Sequence, residues 1–290
     1  MPGPSARSRR LAAELLRLRE TAGLSREQVA DRLGWSTSKL WRVETARTRA
    51  HHGDVADLLD IYGVTGERRD VLTRLAREAR RRGWWHSYAD VLAGGFDTYV
   101  DLEAEASSIR TYEAQLVPGL FQTPEYASAV LTAAWVRIEP EEIDRRLAFR
   151  MQRQELAAAR DKPLALWAIV DEAVLRRAVG GRDVMHAQLL RLAQAARQTN
   201  VTLQVLPFSV GAHIAMLGTF VLLSFPEPAD PDVVYLETDT SSLYLEQPAD
   251  IGRYGEVFDH LRATALAPRE SIDFISAIAA EYARERTASE

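Results

Sequence analysis

Thr37, Ser38, Lys39 and Arg42 follow one another at a spacing that turns them to the outside of a helix, because Leu40 and Val43 must point in. Hydroxyls, an ammonium and a guanidinium presented together are the groups that read base edges and hold phosphates. A guanidinium reaches two acceptors of a guanine at once, and hydroxyls donate or accept as the base requires. Ser36, immediately before them, is placed to cap this helix by accepting from the free backbone N–H groups of its first turn. Further on, Arg47 and Arg49 stand in the polar stretch TARTRAHHG, where they would rest on the nucleic-acid backbone beside the helix.

The elements that must position these groups run from Ser25 to Glu44, SREQVADRLGWSTSKLWRVE. Val29 and Leu33 make the apolar face of one short helix and Leu40 and Val43 that of a second, with Gly34 between them where a left-handed backbone needs it. This is helix-turn-helix spacing. Ala30 suits a close crossing of the two helices, and Trp35 is placed to close the small core from the turn. The stretch resembles the Xre and lambda-repressor type of helix-turn-helix. That resemblance implies that Arg26 lies on the phosphate side at the start of the first helix, that Thr37, Ser38 and Arg42 contact bases, and that Glu44 is the acidic residue closing the recognition helix. Trp41 is unusual for that family and reads as a packing or dimer contact.

Composition sets the outer bounds. The 290 residues are 47% hydrophobic and 27% charged, enough for a small N-terminal domain and a larger second one. Cysteine is absent, which excludes disulfide scaffolds, zinc ribbons, iron–sulfur clusters and thiol nucleophiles. No apolar run spans a bilayer, and MPGPSARSRR leads into an amphipathic helix instead of a signal peptide's apolar core, so a cytoplasmic protein with no membrane partner is expected. The net charge of −5 conceals a division. Residues 1–85 hold 18 Lys and Arg against 11 Asp and Glu, a balance of +7, and residues 86–290 hold 18 against 30, a balance of −12. A basic head attracts double-stranded DNA, while an acidic body repels it and suits a protein or small molecule.

Along the chain, residues 1–8 read as disordered and a first helix as Arg9–Ala22. A fourth helix is expected over Asp54–Tyr62, and a fifth over Gly66–Arg82 with Val71, Leu72, Leu75 and Ala79 inward, leading to Trp84 and Trp85 as anchors of the next domain. His51 and His52 lack further ligands and read as surface residues, not a metal site. Beyond His86 the pattern is helical up to Glu113, and again after a Pro118–Gly119 turn, where Thr123 caps a helix with Pro124 at its first position. Ile143–Ala159 carries a basic stripe of Arg145, Arg146, Arg150 and Arg153. From Pro163 the strands LALWAIV, VTLQVLPF, GTFVLLSF, DVVYLET and SLYLEQ alternate with helices, the last three in an antiparallel half, and two final helices near 251–265 and 271–284 cover them. The expectation is an α+β protein: residues 1–83 form an all-α helix-turn-helix domain of about five helices, and residues 84–290 a helical segment followed by a mixed α/β domain.

Candidate acid–base groups are Asp171, Glu172, His186, His213 and Glu237, but no phosphate loop, nucleophile elbow or metal-spaced cluster accompanies them. Asp171 reads more simply as a helix cap. No catalytic residues and no cofactor are assigned, and the alternative is an enzyme or ligand-binding domain with a DNA-binding head used for localisation.

The motifs RRGWWHSY, LEAEASSIRTYEAQLVPGLFQTPEYA, RMQRQE, VDEAVLRRAVGGRDVMHAQLLRL, VTLQVLPFSVGAH, GTFVLLSF and VVYLE occur in the order found in actinobacterial regulators of the WhiJ-like group. The resemblance implies an antitoxin-like transcription regulator whose C-terminal part has no assigned function, working with a small BldB-like partner protein. On that view Gly211, His213 and Met216, in the Gly-bounded loop Gly211–Gly218, are candidate partner contacts. A homodimer is expected too, since a single helix-turn-helix makes few contacts and repressors of this type bind paired half-sites.

Overall fold

The computed structural model describes residues 6–48, 50–78, 83–92, 95–135, 137–226, 231–238 and 240–287, and all of their side chains except those of 6, 7, 78 and 285–287. Arg49, Ala79 and the arginine run at 80–82 lie outside the described residues. The chain divides into two compact units, one of residues up to 87 with 95–105, the other of 88–94 with 106 onward.

The first unit holds α1 (Ala6–Thr21), α2 (Arg26–Leu33), α3 (Thr37–Glu44), α4 (His52–Ile61), α5 (Gly66–Glu78) and α6 (Phe96–Glu105). Its core is aliphatic: Leu11, Leu15 and Leu18 of α1 meet Val29, Leu40, Val43, Val55, Leu58, Leu59, Leu72 and Leu75, all buried. Ala30 is 1% exposed, and Trp35 packs against the same core. Ser25 caps α2 in a reciprocal box, its oxygen accepting from Gln28 N while the Gln28 amide oxygen accepts from Ser25 N. Gly34 ends that helix with φ 64°, the left-handed turn expected of it. Four expectations change. Helix α1 begins at Ala6, inside the stretch read as disordered, because Ser8 and Leu11 already face the core. His51, not a residue nearer Asp54, starts α4 by accepting at Nδ1 from Gly53 N. Val71 points out, 42% exposed, and Ala76 takes the inward place instead. The rings of Trp84 and Trp85 meet edge to face at 6.2 Å, both within the first unit.

The second unit is built on a six-stranded sheet. Strands β1 (Ser108–Glu113), β2 (Ala165–Asp171), β3 (Val201–Leu206), β4 (Phe220–Ser224), β5 (Val233–Glu237) and β6 (Ser242–Leu245) lie in the order β3-β2-β1-β4-β5-β6. The pairs β1–β2 and β2–β3 are parallel, and β1–β4, β4–β5 and β5–β6 are antiparallel. Helices α7 (Pro124–Ala133) and α8 (Pro140–Ala158) fall between β1 and β2, and α9 (Glu172–Arg176) and α10 (Arg182–Ala195) between β2 and β3. Helices α11 (Pro248–Thr264) and α12 (Pro268–Thr287) close the chain. Val257, Phe258 and Leu261 of α11 cover a face formed by Tyr112, Ile169, Leu206, Phe220, Leu222 and Val234.

The α+β class holds, but the expected helix through Glu113 does not. Helix α6 stops at Glu105, and Ser108–Glu113 becomes the sheet's central strand, hydrogen-bonded to β2 on one side and β4 on the other. Ile109, Thr111 and Tyr112 are buried against two neighbours, and that packing overrides local propensity.

Candidate nucleic-acid interface

The recognition helix is held by a buried charge network. The Glu44 side chain, at the end of α3, has no exposed surface, and its two oxygens accept from Arg19 of α1 and, at 2.7 Å, from Nε of Arg26 at the start of α2. Arg19 also donates to Leu24 O at 2.8 Å. The bond that Arg19 donates to Glu44 is the first cause that holds its guanidinium above its ordinary value. One carboxylate therefore ties together the end of α1, the start of α2 and the end of α3.

On that support the outward groups divide into engaged and open. Ser36 Oγ accepts from Lys39 N at 3.1 Å, the cap expected of it. Lys39 bends back: its Nζ sits 3.5 Å from the centre of the Trp35 ring and 3.3 Å from Asp54. Arg26 is committed to Glu44 but keeps 38% of its side chain exposed. Thr37, Ser38 and Arg42 are exposed, and the Arg42 guanidinium makes no ion pair among the described residues. Arg47 is exposed as well, stacked over Trp41 at 5.1 Å, and Trp41 itself is 38% exposed. Ala46, just past α3, is the single non-glycine residue with positive φ among the described ones, at 55°, and turns the chain sharply away. The arrangement offers an open helix start with two hydroxyls, an unengaged guanidinium one turn on, and flanking cations.

In the second unit the structure joins Asp171 and His213 but not the other acid–base candidates. Tyr112 Oη lies 3.3 Å from Asp171 Oδ2 and 3.4 Å from His213 Nε2, while His213 Nδ1 accepts from Ala215 N at 3.3 Å. Burial, then the charge of Asp171, pushes the Tyr112 phenol up. Asp171 Oδ1 caps α9 through Ala173 N. Glu172 is occupied with Arg176 at 2.6 Å and Phe208 N at 2.9 Å, and His186 Nδ1 lies 2.9 Å from Ala279 O. His213 thus fastens the loop after β3, which carries Gly211 at φ 69° and leaves Ile214, Met216 and Leu217 exposed.

The sequence places Arg150 and Arg153 in a basic stripe and assigns no role to Glu113 or Gln122. Burial pushes the Glu113 carboxyl up to about 8 and the Arg150 guanidinium down to about 10, while Arg153 is 9% exposed. The signal available was Glu113 ending a strand, but that segment read as a helix.

A helix-turn-helix domain profile matches residues 10–72, and the profile of a domain of unknown function, DUF5753, matches residues 96–277. No curated protein and no solved structure matches the chain. The helix-turn-helix domain makes the protein a DNA-binding regulator. Among the described residues no helix is long and apolar enough to cross a membrane.

Proposed function

We propose that this protein, which belongs to the DUF5753 domain family, is a sequence-specific transcription regulator of the Xre type and the WhiJ-like group, acting in the cytoplasm. The observation that carries the reading is the open guanidinium of Arg42 beside exposed Thr37 and Ser38, on a helix whose far end is locked by the buried Glu44 network. Arg42 takes the bidentate base contact, Thr37 and Ser38 adjust to neighbouring bases, and Arg26, Ser36, Lys39, Arg47 and Arg49 serve the phosphates. Fluorescence anisotropy with DNA from upstream of the protein's own gene tests it. Binding should exceed that to random DNA by the roughly 10³-fold or more typical of specific readers, and equal affinities would overturn it.

The same reading makes the second unit the controlling part. Its acidic body binds a small BldB-like partner protein through Gly211, His213 and Met216, and the regulator works as a homodimer on paired half-sites. The exposed apolar loop held down by His213 supports this.

A further inference from the structure

Along α3 the buried side chains are Leu40, Val43 and Glu44, and the exposed ones are Thr37, Ser38, Trp41 and Arg42, with Thr45 beside them just past the helix end. At about 100° per residue Trp41 falls between Thr37 and Ser38 on the circumference of the helix, in the middle of the outward arc. Its indole, 38% exposed, is no part of the aliphatic core of the first unit. It stands instead on the surface that carries the groups for base readout.

The chain that follows α3 is built around this ring. Thr45 closes the helix end, its N–H and its hydroxyl both donating to Trp41 O, at 3.0 Å and 2.7 Å. Ala46 then takes φ 55°, a left-handed conformation unfavourable for a residue with a Cβ. Thr48 N donates to Arg42 O at 3.1 Å, which fastens the segment to the last turn of the helix. The result is that Arg47 lies over the indole, its guanidinium carbon 5.1 Å from the ring centre. Arg47 is exposed and makes no ion pair among the described residues, so its charge is open to a phosphate. Backbone strain is thus held at the one residue whose turn positions this cation.

An indole selects among bases. In the major groove a T·A pair shows the methyl group and the O4 acceptor of thymine, whereas cytosine shows an amino donor there. Indole has an apolar ring, one N–H donor and no acceptor, so it gains by covering a methyl group and gains nothing from cytosine's donor. We propose that Trp41 is a specificity-determining residue that packs on the methyl group of a thymine in the major groove, while Arg47, held over the ring, takes the phosphate flanking that thymine. The proposal rests on the reading that α3 enters the groove, and it adds one base that the binding site must contain. Trp41 is then a reading residue, not a contact between two copies of the chain.

The full chain serves to enrich a binding site from a random duplex library, and affinity for the enriched duplex is read by fluorescence anisotropy at fixed salt. Each thymine is then replaced singly by deoxyuridine, which keeps the base pairing and removes only the methyl group. The unaltered protein should lose roughly fourfold in affinity at one thymine, the worth of about one buried methylene, and this measurement needs no variant. Trp41→Ala should bind the enriched duplex roughly tenfold more weakly and be indifferent to that replacement. Should Trp41→Ala fail to fold, Trp41→Gln carries the test. Thr37→Ser, which removes the methyl group of a neighbouring side chain on the same face, should keep the fourfold loss. Arg47→Gln should weaken thymine and deoxyuridine duplexes alike and lower the salt slope by about one phosphate contact. An enriched site in which no thymine responds, a response that survives loss of the indole, or a Trp41→Ala that alters sedimentation of the free protein and leaves DNA affinity unchanged would each overturn the proposal. Failure to enrich any sequence would overturn the sequence-specific reading with it, whereas an enriched site blind to the methyl group leaves that reading standing.

Discussion

Replacing Glu44 by Gln tests what holds the recognition helix. The Glu44 carboxylate is fully buried and faces three guanidinium nitrogens, two from Arg19, which is 8% exposed, and one from Arg26, whose side chain is 38% exposed. An amide keeps the shape and one acceptor but turns its N–H groups toward guanidinium donors and removes the negative charge, leaving the Arg19 charge with the amide oxygen, Leu24 O and the more distant Glu20 at 4.0 Å. Breaking a buried pair from one side costs about 3–5 kcal/mol, and the shape retained by Gln argues for the lower end, about 3 kcal/mol. The Arg26 arm, being partly solvated, adds less than about 1 kcal/mol. Hydrogen exchange on the full chain reads this locally: protection of slow amides in α1–α3 should fall by roughly a hundredfold, each tenfold step being about 1.4 kcal/mol. Arg26→Ala should change it by less than roughly tenfold. The double variant Arg19→Met with Glu44→Leu should restore most of the protection, since a buried pair exchanged for apolar groups of similar size is close to neutral. A loss under about 1 kcal/mol in Glu44→Gln would refute the reasoning, because it would mean that water reaches Arg19 in the folded head.

Other expectations follow from the same geometry. Arg42→Ala should cost about 1–3 kcal/mol of operator affinity and relax preference at one base pair, whereas an equal loss on random DNA would make Arg42 a phosphate contact. Gly34→Ala forces a side chain onto φ 64° and should destabilise the head by about 1 kcal/mol, while Ala46→Gly relieves φ 55° and should stabilise it by a similar amount, both read by thermal melting. Sedimentation of the full chain should show a dimer, and a monomer at high concentration would remove that proposal. A partner that weakens operator binding tenfold must itself be weakened tenfold by operator, a coupling of about 1.4 kcal/mol, so equal partner affinities with and without saturating DNA would disprove control of the head.

The head was legible because its signals are local. Gly34 needs a left-handed turn, Ser36 a cap, and Val29, Ala30, Leu40 and Val43 a shared core, and each requirement is met within twenty residues of sequence. The chemistry of the second unit is not local. Tyr112 and His213 are far apart in sequence and meet only because β1 sits in the middle of the sheet, and β1 reads as a helix from its own residues, DLEAEASSIRTYEAQ, until neighbours on both sides supply the ladder. Arg150 and Arg153 misled for a related reason: helical spacing shows that four arginines share a stripe, but not which of them the sheet desolvates. Lys39 was placed outward by periodicity, and only the Trp35 ring and Asp54, from the next helix, reveal that it bends back.

The course of the chain bears on how a signal would pass from body to head. Helix α5 with Trp84 and Trp85 reads from sequence as the one covalent link, yet the chain passes between the two units three times, near 87, near 94 and after Glu105. The third passage is the shortest and the most tightly built. Only Ala106 and Ser107 separate α6, a helix of the first unit, from β1, and Ser107 is already knitted into the sheet, its N–H donating to Ser224 O at 2.8 Å and its carbonyl accepting from Ala165 N at 3.1 Å. The strand that leaves this junction carries Thr111, Tyr112 and Glu113 to the far edge of the sheet within a few residues. A change of charge or contact at Glu113 is therefore closer along the backbone to α6 than any event in the loop around His213, and a strand bonded on both sides transmits strain along its axis better than a free loop does. By that argument the proposed partner on the His213 loop would reach the head through the contact of His213 with Tyr112 of β1, the strand into which α6 leads.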